Sequence, residues 1–218
     1  MTGGYALGLR IAAMHFKRIS PEVKDRQSAE REAIRKGQKD LWEYLGVYVY
    51  DQWSTEQQQF LETMSIVDQF DLPMACQLTK NKNAGCLIRQ AQEIGNFIIE
   101  RITEEGSVYK IRNEMKKSMY RRLWMKYSED YIRQLYCSAG SYYEIEGNMT
   151  EALRMYQCCQ EKEGISRILI SNMRKNPAEG NYFEWRKYYL ILPEEKIRES
   201  IELMAGMSML YSCLLYTS

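Results

Sequence analysis

The sequence is poor in the residues that do chemistry near neutral pH. It has one histidine in 218 residues, His15, near the amino end and with no nucleophile motif to serve, which argues against a Ser-His-Asp or Cys-His site. No GxxxxGK[ST] phosphate loop and no GxGxxG turn occurs. Six cysteines, Cys76, Cys86, Cys137, Cys158, Cys159 and Cys213, form no CxxC pair. They lack the close, regular spacing of a zinc site and read instead as buried, reduced thiols. The four prolines are too few for a Pro-rich linker. Neither charge sign dominates, since 30 Lys and Arg face 29 Asp and Glu for a net charge of +1. No whole-chain basic field therefore draws the protein to nucleic acid or an anionic membrane. Long apolar runs are missing too. The run after Tyr5 is broken by Arg10, and Ile201 to Leu215 carries Glu202 and falls short of the roughly 20 residues a membrane helix needs. These absences lead to the expectation of a cytoplasmic protein that is not an enzyme, with no catalytic, cofactor-binding or metal-binding residue to assign.

What is abundant points to helix. The chain is 45% hydrophobic and 27% charged, with 13 methionines and 17 tyrosines, as in helical interiors and partner surfaces. Leu7, Leu9, Ile11, Ala12, Met14 and Phe16 begin an apolar face that ends near Pro21. Glu22 to Lys39 is polar and reads as a solvated helix or a connector. Leu41, Trp42, Leu45, Val49 and Trp53 then make an amphipathic stripe. Ser54 is placed to cap a following helix, with Gln57 at the capping-box position. Shorter helices begin at Leu72 and Ala84. After Gly95 the period changes, and "NFIIERI" and "VYKIR" predict two strands around the turn Thr103 to Ser107. Three helices followed by one hairpin is the order of a winged helix.

Helix resumes at Met115, inside a basic run, Arg112 to Lys126 (RNEMKKSMYRRLWMK), with six cations and one acid. Such a run is either a local phosphate-neutralising cluster or a solvated face. From Tyr131 onward, Tyr136, Gly140, Tyr143, Ala152 and Tyr156 carry the spacing of a tetratricopeptide repeat, with Glu146 to Asn148 as its turn. Cys159 stands where alanine is usual and Gly164 where proline is usual. One repeat cannot bury its own face, and helical period does continue through "YFEWRKYYLIL", Pro193 and "ELMAGMSMLYSCLL". The tyrosine pairs Tyr142 with Tyr143 and Tyr188 with Tyr189 either line a concave ligand surface or pack between helices.

Five segments in order, "TGGYALGLRIAA", "FLETMSIVDQFDLPMACQLT", "GNFIIERI…SVYKIR", "YYEIEGNMTEAL" and "LPEEKIRESIELMAGMSMLYS", resemble the central region of MalT-like, ATP-dependent LuxR-type transcription regulators of the STAND class. The resemblance implies a mainly α fold: residues 1–53 as the helical lid closing an ATPase module, 54–114 as a winged helix with a small hairpin, and 115–218 as the start of a TPR-like sensor. In related ATPases a Gly-Gly-x-Pro segment closes that module, with its proline near the adenine. Here Gly3, Gly4, Tyr5 and Ala6 stand in its place, so the proline is missing. "RNEM" likewise replaces the His-Pro-Leu-Phe stretch that the family commonly shows after the second wing strand. The glycines then read as an interior turn, and the apolar "MLYSCLLYTS" as a solenoid without its closing repeat, so the expectation is a segment of a longer regulator. What the resemblance implies is coupling of effector sensing to an ATP-dependent switch. The effector would be an unknown small molecule or protein, ATP would bind in the full-length protein, self-association would follow, and DNA would be read only by a helix-turn-helix domain outside this chain. The alternative is a stand-alone helical-repeat adaptor for a partner protein.

Overall fold

A computed structural model of the chain describes residues 50, 53–95, 97–104, 106–175, 182 and 184–216. The expected lid helices, His15, the glycines at 3 and 4 and most of the stripe from Leu41 lie outside these residues. The described residues form two units divided after Lys126.

The first unit begins with helix α1, Thr55–Met64, whose start follows from a local hydrogen bond: the Ser54 hydroxyl accepts from the Gln57 backbone N–H at 3.2 Å. The reciprocal arm of a capping box is not made. Gln57 is buried and its Nε2 donates instead to the Leu87 carbonyl at 3.1 Å, fastening α1 to the helix that carries Leu87. Helix α2, Leu72–Thr79, is capped by Asp71, with proline in its first turn where no N–H is wasted. Helix α3, Ala84–Gly95, follows. Strands β1, Ile98–Thr103, and β2, Gly106–Ile111, pair antiparallel from Ile98 opposite Ile111 to Thr103 opposite Gly106. Gly106 has φ 130°, a conformation that a side chain would strain. Phe70 extends the pairing by exchanging two backbone hydrogen bonds with Tyr109. Helix α4, Asn113–Lys126, closes this unit. Its Met115, Met119 and Leu123 repeat every four residues and are fully buried, as are Phe60, Leu61, Met64 and Ile98. The expected boundary after residue 114 falls within the first turn of this helix.

The second unit opens with helices α5, Glu129–Ile145, and α6, Met149–Cys159, capped by Ser128 and Asn148. The turn at Glu146 to Asn148 works because Gly147 takes φ 78°. Gln160 enters the left-handed region at φ 58° and stops α6. Helix α7, Lys162–Lys175, follows, then the short α8, Arg186–Leu190, and α9, Glu194–Arg198, and finally α10, Ile201–Tyr216. The expected helix over "YFEWRKYYLIL" shrinks to the five residues of α8, since Pro193 holds an extended conformation at the start of α9. The core of this unit includes Ile132, Leu135, Ala139, Leu153, Ile165, Leu169, Tyr189 and Leu210. A mainly α fold with one small hairpin in a winged-helix arrangement is what the sequence predicts.

The expectation of buried thiols holds only in part. Of the five cysteines whose side chains are described, Cys159 is buried, Cys76 and Cys137 are half-buried, and Cys86 and Cys158 are exposed. Burial follows the helix face: Leu87 and Ile88 take the inward positions of α3, and Met155, Tyr156 and Cys159 those of α6, leaving Cys86 and Cys158 outside.

Candidate functional site

In the winged-helix unit, the surfaces that could meet a duplex are weakly charged. The exposed face of α3 presents Arg89, Gln90 and Glu93, one cation against one acid. The hairpin exposes Glu100, Arg101 and Glu104. Positive charge is concentrated on α4, and much of it is already engaged. Lys116 pairs with Asp68. The Lys126 ammonium donates to Glu62 Oε2 at 3.0 Å. The Arg122 guanidinium lies 4.0 Å above the ring centroid of Tyr50, a cation held against an aromatic face. Glu62 is fully buried and also accepts from the Tyr50 hydroxyl. Its two carboxylate oxygens thus tie together the segment before α1, helix α1 and the C-terminal end of α4. Lys117 and Arg121 remain exposed. The run of six cations, which the sequence leaves open between a phosphate-neutralising cluster and a solvated face, is thus partly a fastening between α4 and α1. No sequence signal pairs Glu62 with a lysine 64 residues onward; in "FLETM" it resembles an ordinary solvated acid.

In the second unit, the repeat spacing is realised as a close approach. A Cβ at Gly140 would lie 2.7 Å from Cδ1 and Cε1 of Tyr156, and one at Gly164 would lie 2.8 Å from Cδ2 and Cε2 on the ring's other edge. The two glycines, one from α5 and one from α7, make the slot that the Tyr156 ring fills. Gly164 thus departs from the usual proline for a packing reason. At the rim of this slot the Tyr156 hydroxyl donates to Glu144 Oε2 at 2.7 Å, with Ser141 Oγ 3.3 Å away. Arg167 donates to both oxygens of Glu144, each at 2.8 Å, the planar fork that suits a carboxylate. Arg167 first, and the Tyr156 hydroxyl after it, hold the Glu144 carboxyl below its ordinary value, while burial pushes the Tyr156 phenol up.

The two tyrosine pairs part company. Tyr188 and Tyr189 are buried, and the Tyr189 hydroxyl sits against Gly206, where a Cβ would come within 2.6 Å. They pack between helices. Tyr142 and Tyr143 are half-buried, with ring centroids 6.4 Å apart in an edge-on arrangement. An open groove of about 580 Å³ runs along α7, lined by Glu163, Ser166, Arg167, Ile170, Arg174 and Lys196. Three of its four cations are neutralised by neighbouring acids: Arg167 by Glu144, Arg174 by Glu202 at 2.8 Å, and Lys196 by Glu163 at 2.8 Å and Glu199 at 3.2 Å, while the fourth, Lys175, is exposed. Among the described residues no three His, Cys, Asp or Glu side chains converge as metal ligands.

Residues 47–131 match the family described as the MalT winged helix domain. The matched stretch takes in all of α4 and its attachment to α1. No curated protein matches the chain.

Proposed function

We propose that the chain is the signal-coupling segment of a MalT-like, LuxR-type transcription regulator, in which a helical-repeat sensor is linked through a winged helix to an ATP-dependent switch of the STAND class. The observation that carries this reading is the MalT winged-helix match over residues 47–131. The engagement of α4 cations by Asp68, Glu62 and Tyr50 supports an internal role for the winged helix over direct grip on a duplex. Under this reading ATP binding and base reading belong to other parts of the full-length regulator, the effector is a small molecule or protein met by the TPR-like region, and the active form self-associates in the cytoplasm. No described helix is long and apolar enough to cross a membrane. The segment itself turns over no substrate.

Sequencing the genomic locus on both sides of this frame tests the reading. A regulator requires an in-frame GxxxxGK[ST] upstream and a helix-turn-helix downstream. A frame that carries neither would overturn it and leave a helical-repeat adaptor. ATP turnover by the purified chain would overturn the non-catalytic part alone.

A further inference from the structure

The two cysteines at the crossing of α5 and α6 are placed for chemistry that no regulatory reading uses. Cys137 on α5 is half-buried and Cys159 on α6 is buried, yet their Sγ atoms stand 2.7 Å apart across 22 residues of chain. The Cys137 thiol points at the Cys159 sulfur, and the Cys159 thiol in turn donates to the Tyr156 carbonyl at 3.6 Å. A disulfide needs a sulfur separation of about 2.05 Å and side chains that face each other. Both thiols are on packed helices joined by a tight turn, so the pair needs no large backbone movement to reach it.

We propose that Cys137 and Cys159 are a redox-reactive pair that closes a disulfide across the α5–α6 hairpin when the protein meets a low-molecular-weight disulfide such as oxidised glutathione. Cys137, the more accessible, reacts first. Its thiolate attacks one sulfur of the small disulfide, forms a mixed disulfide and expels one small thiolate, which takes up a proton. The Cys159 thiol loses its proton to solvent, its sulfur attacks Cys137 Sγ, and the second small thiol leaves. Two cysteine thiols are oxidised by two electrons, and the small disulfide is reduced to two thiols. Burial pushes the Cys159 thiol up and keeps it from reagents in water, so it enters the exchange only through the adduct on Cys137, whose sulfur is already in contact with its own. Cys86 and Cys158 are exposed, Cys158 next to Cys159 in the chain but on the outer face of α6; they are expected to accept mixed disulfides. The inference concerns the hairpin alone and holds whichever protein the repeat serves.

The test is peptide mapping of the whole folded chain after incubation with oxidised glutathione, blocking of residual thiols by alkylation, and digestion without reductant. The expected product is a cross-linked peptide containing Cys137 and Cys159, lighter by two hydrogens than its parts and released by dithiothreitol, with glutathione carried on Cys86 and Cys158. In Cys159→Ala, glutathione should stay on Cys137. Helical circular dichroism should be unchanged by oxidation. Finding Cys137 glutathionylated while Cys159 is alkylated in the wild-type chain, or Cys137 unreacted in the folded protein, would overturn the proposal. The wild-type map decides the matter even if the variant does not fold.

Discussion

The Tyr156 slot shows how one residue can set the spacing of a repeat. Its ring is held on both edges by positions that have no Cβ, Gly140 and Gly164. Gly140→Ala gains up to about 1 kcal/mol of helix propensity but drives a methyl group into the ring; overpacking of that kind costs about 1–3 kcal/mol. We expect a net loss of up to about 2 kcal/mol in urea unfolding, and a variant that instead gained the full helix propensity of about 1 kcal/mol would show that the ring can move aside. The charge at the rim of the slot predicts a pH dependence of definite sign. Because the Glu144 carboxyl is held below its ordinary value of 4.5 in the folded chain, chiefly by Arg167, its stabilising contribution is complete above that pH and is lost as pH falls through the lower folded value. Glu202 behaves alike, lowered to about 2 by Ser200 and then Arg174, so its contribution fades between about pH 4.5 and 2. Arg167→Met should therefore be less stable than the wild type at neutral pH, and the gap should narrow in acid. A gap that stayed constant from pH 6 to 3 would show that Arg167 acts through packing and not through Glu144.

At the scale of elements, the features the sequence made legible are those decided locally. Ser54 caps α1, the glycine-containing turn joins the two strands, and Glu146 to Asn148 joins α5 to α6, because each depends on residues a few positions apart. Met115, Met119 and Leu123 stand four residues apart and are buried together, but that spacing alone does not say what the stripe packs against. Long-range pairing was out of reach. Glu62 and Lys126 meet only once α4 has packed on α1, and a buried acid in a helix looks like a solvated one until the fold hides it. The expectation of buried thiols fails at Cys86 and Cys158 because it rests on residue type, where helix face decides. The Glu62 arrangement carries its own prediction. Breaking a buried ion pair by removing one partner costs about 3–5 kcal/mol. Lys126 is 41% exposed and Tyr50 still donates to Glu62, so Lys126→Met should lie at or below the lower end of that range. Glu62→Gln removes the charge that needs the partner, and the double variant should be less destabilised than the sum of the single ones. Strict additivity in a double-mutant cycle followed by thermal unfolding would mean that the pair contributes nothing as a pair.

For the whole molecule the question is whether the winged helix meets DNA itself, and charge bookkeeping on α4 turns it into a number. Each phosphate neutralised on duplex DNA contributes about −0.9 to the slope of log affinity against log salt. If all six cations between Arg112 and Lys126 bound phosphates, the slope would approach about −5. With Lys116 on Asp68, Lys126 on Glu62 and Arg122 over Tyr50, and with Arg112 half-buried and itself engaged, the remaining two cations Lys117 and Arg121 would support a slope of only about −2, with correspondingly weak binding at physiological salt. The α3 face adds little, since Arg89 is offset by Glu93 on the same helix. Fluorescence anisotropy of a labelled duplex titrated with the chain across a salt series separates the two cases. A shallow slope, unchanged by Lys126→Met or Lys116→Met, is what a winged helix engaged within its own protein should give. A steep slope that those substitutions reduce would mean that the cations leave Asp68 and Glu62 for phosphate. The fastening of α4 to α1 would then be released by DNA, and base-independent DNA binding would have to be added to the role of this region.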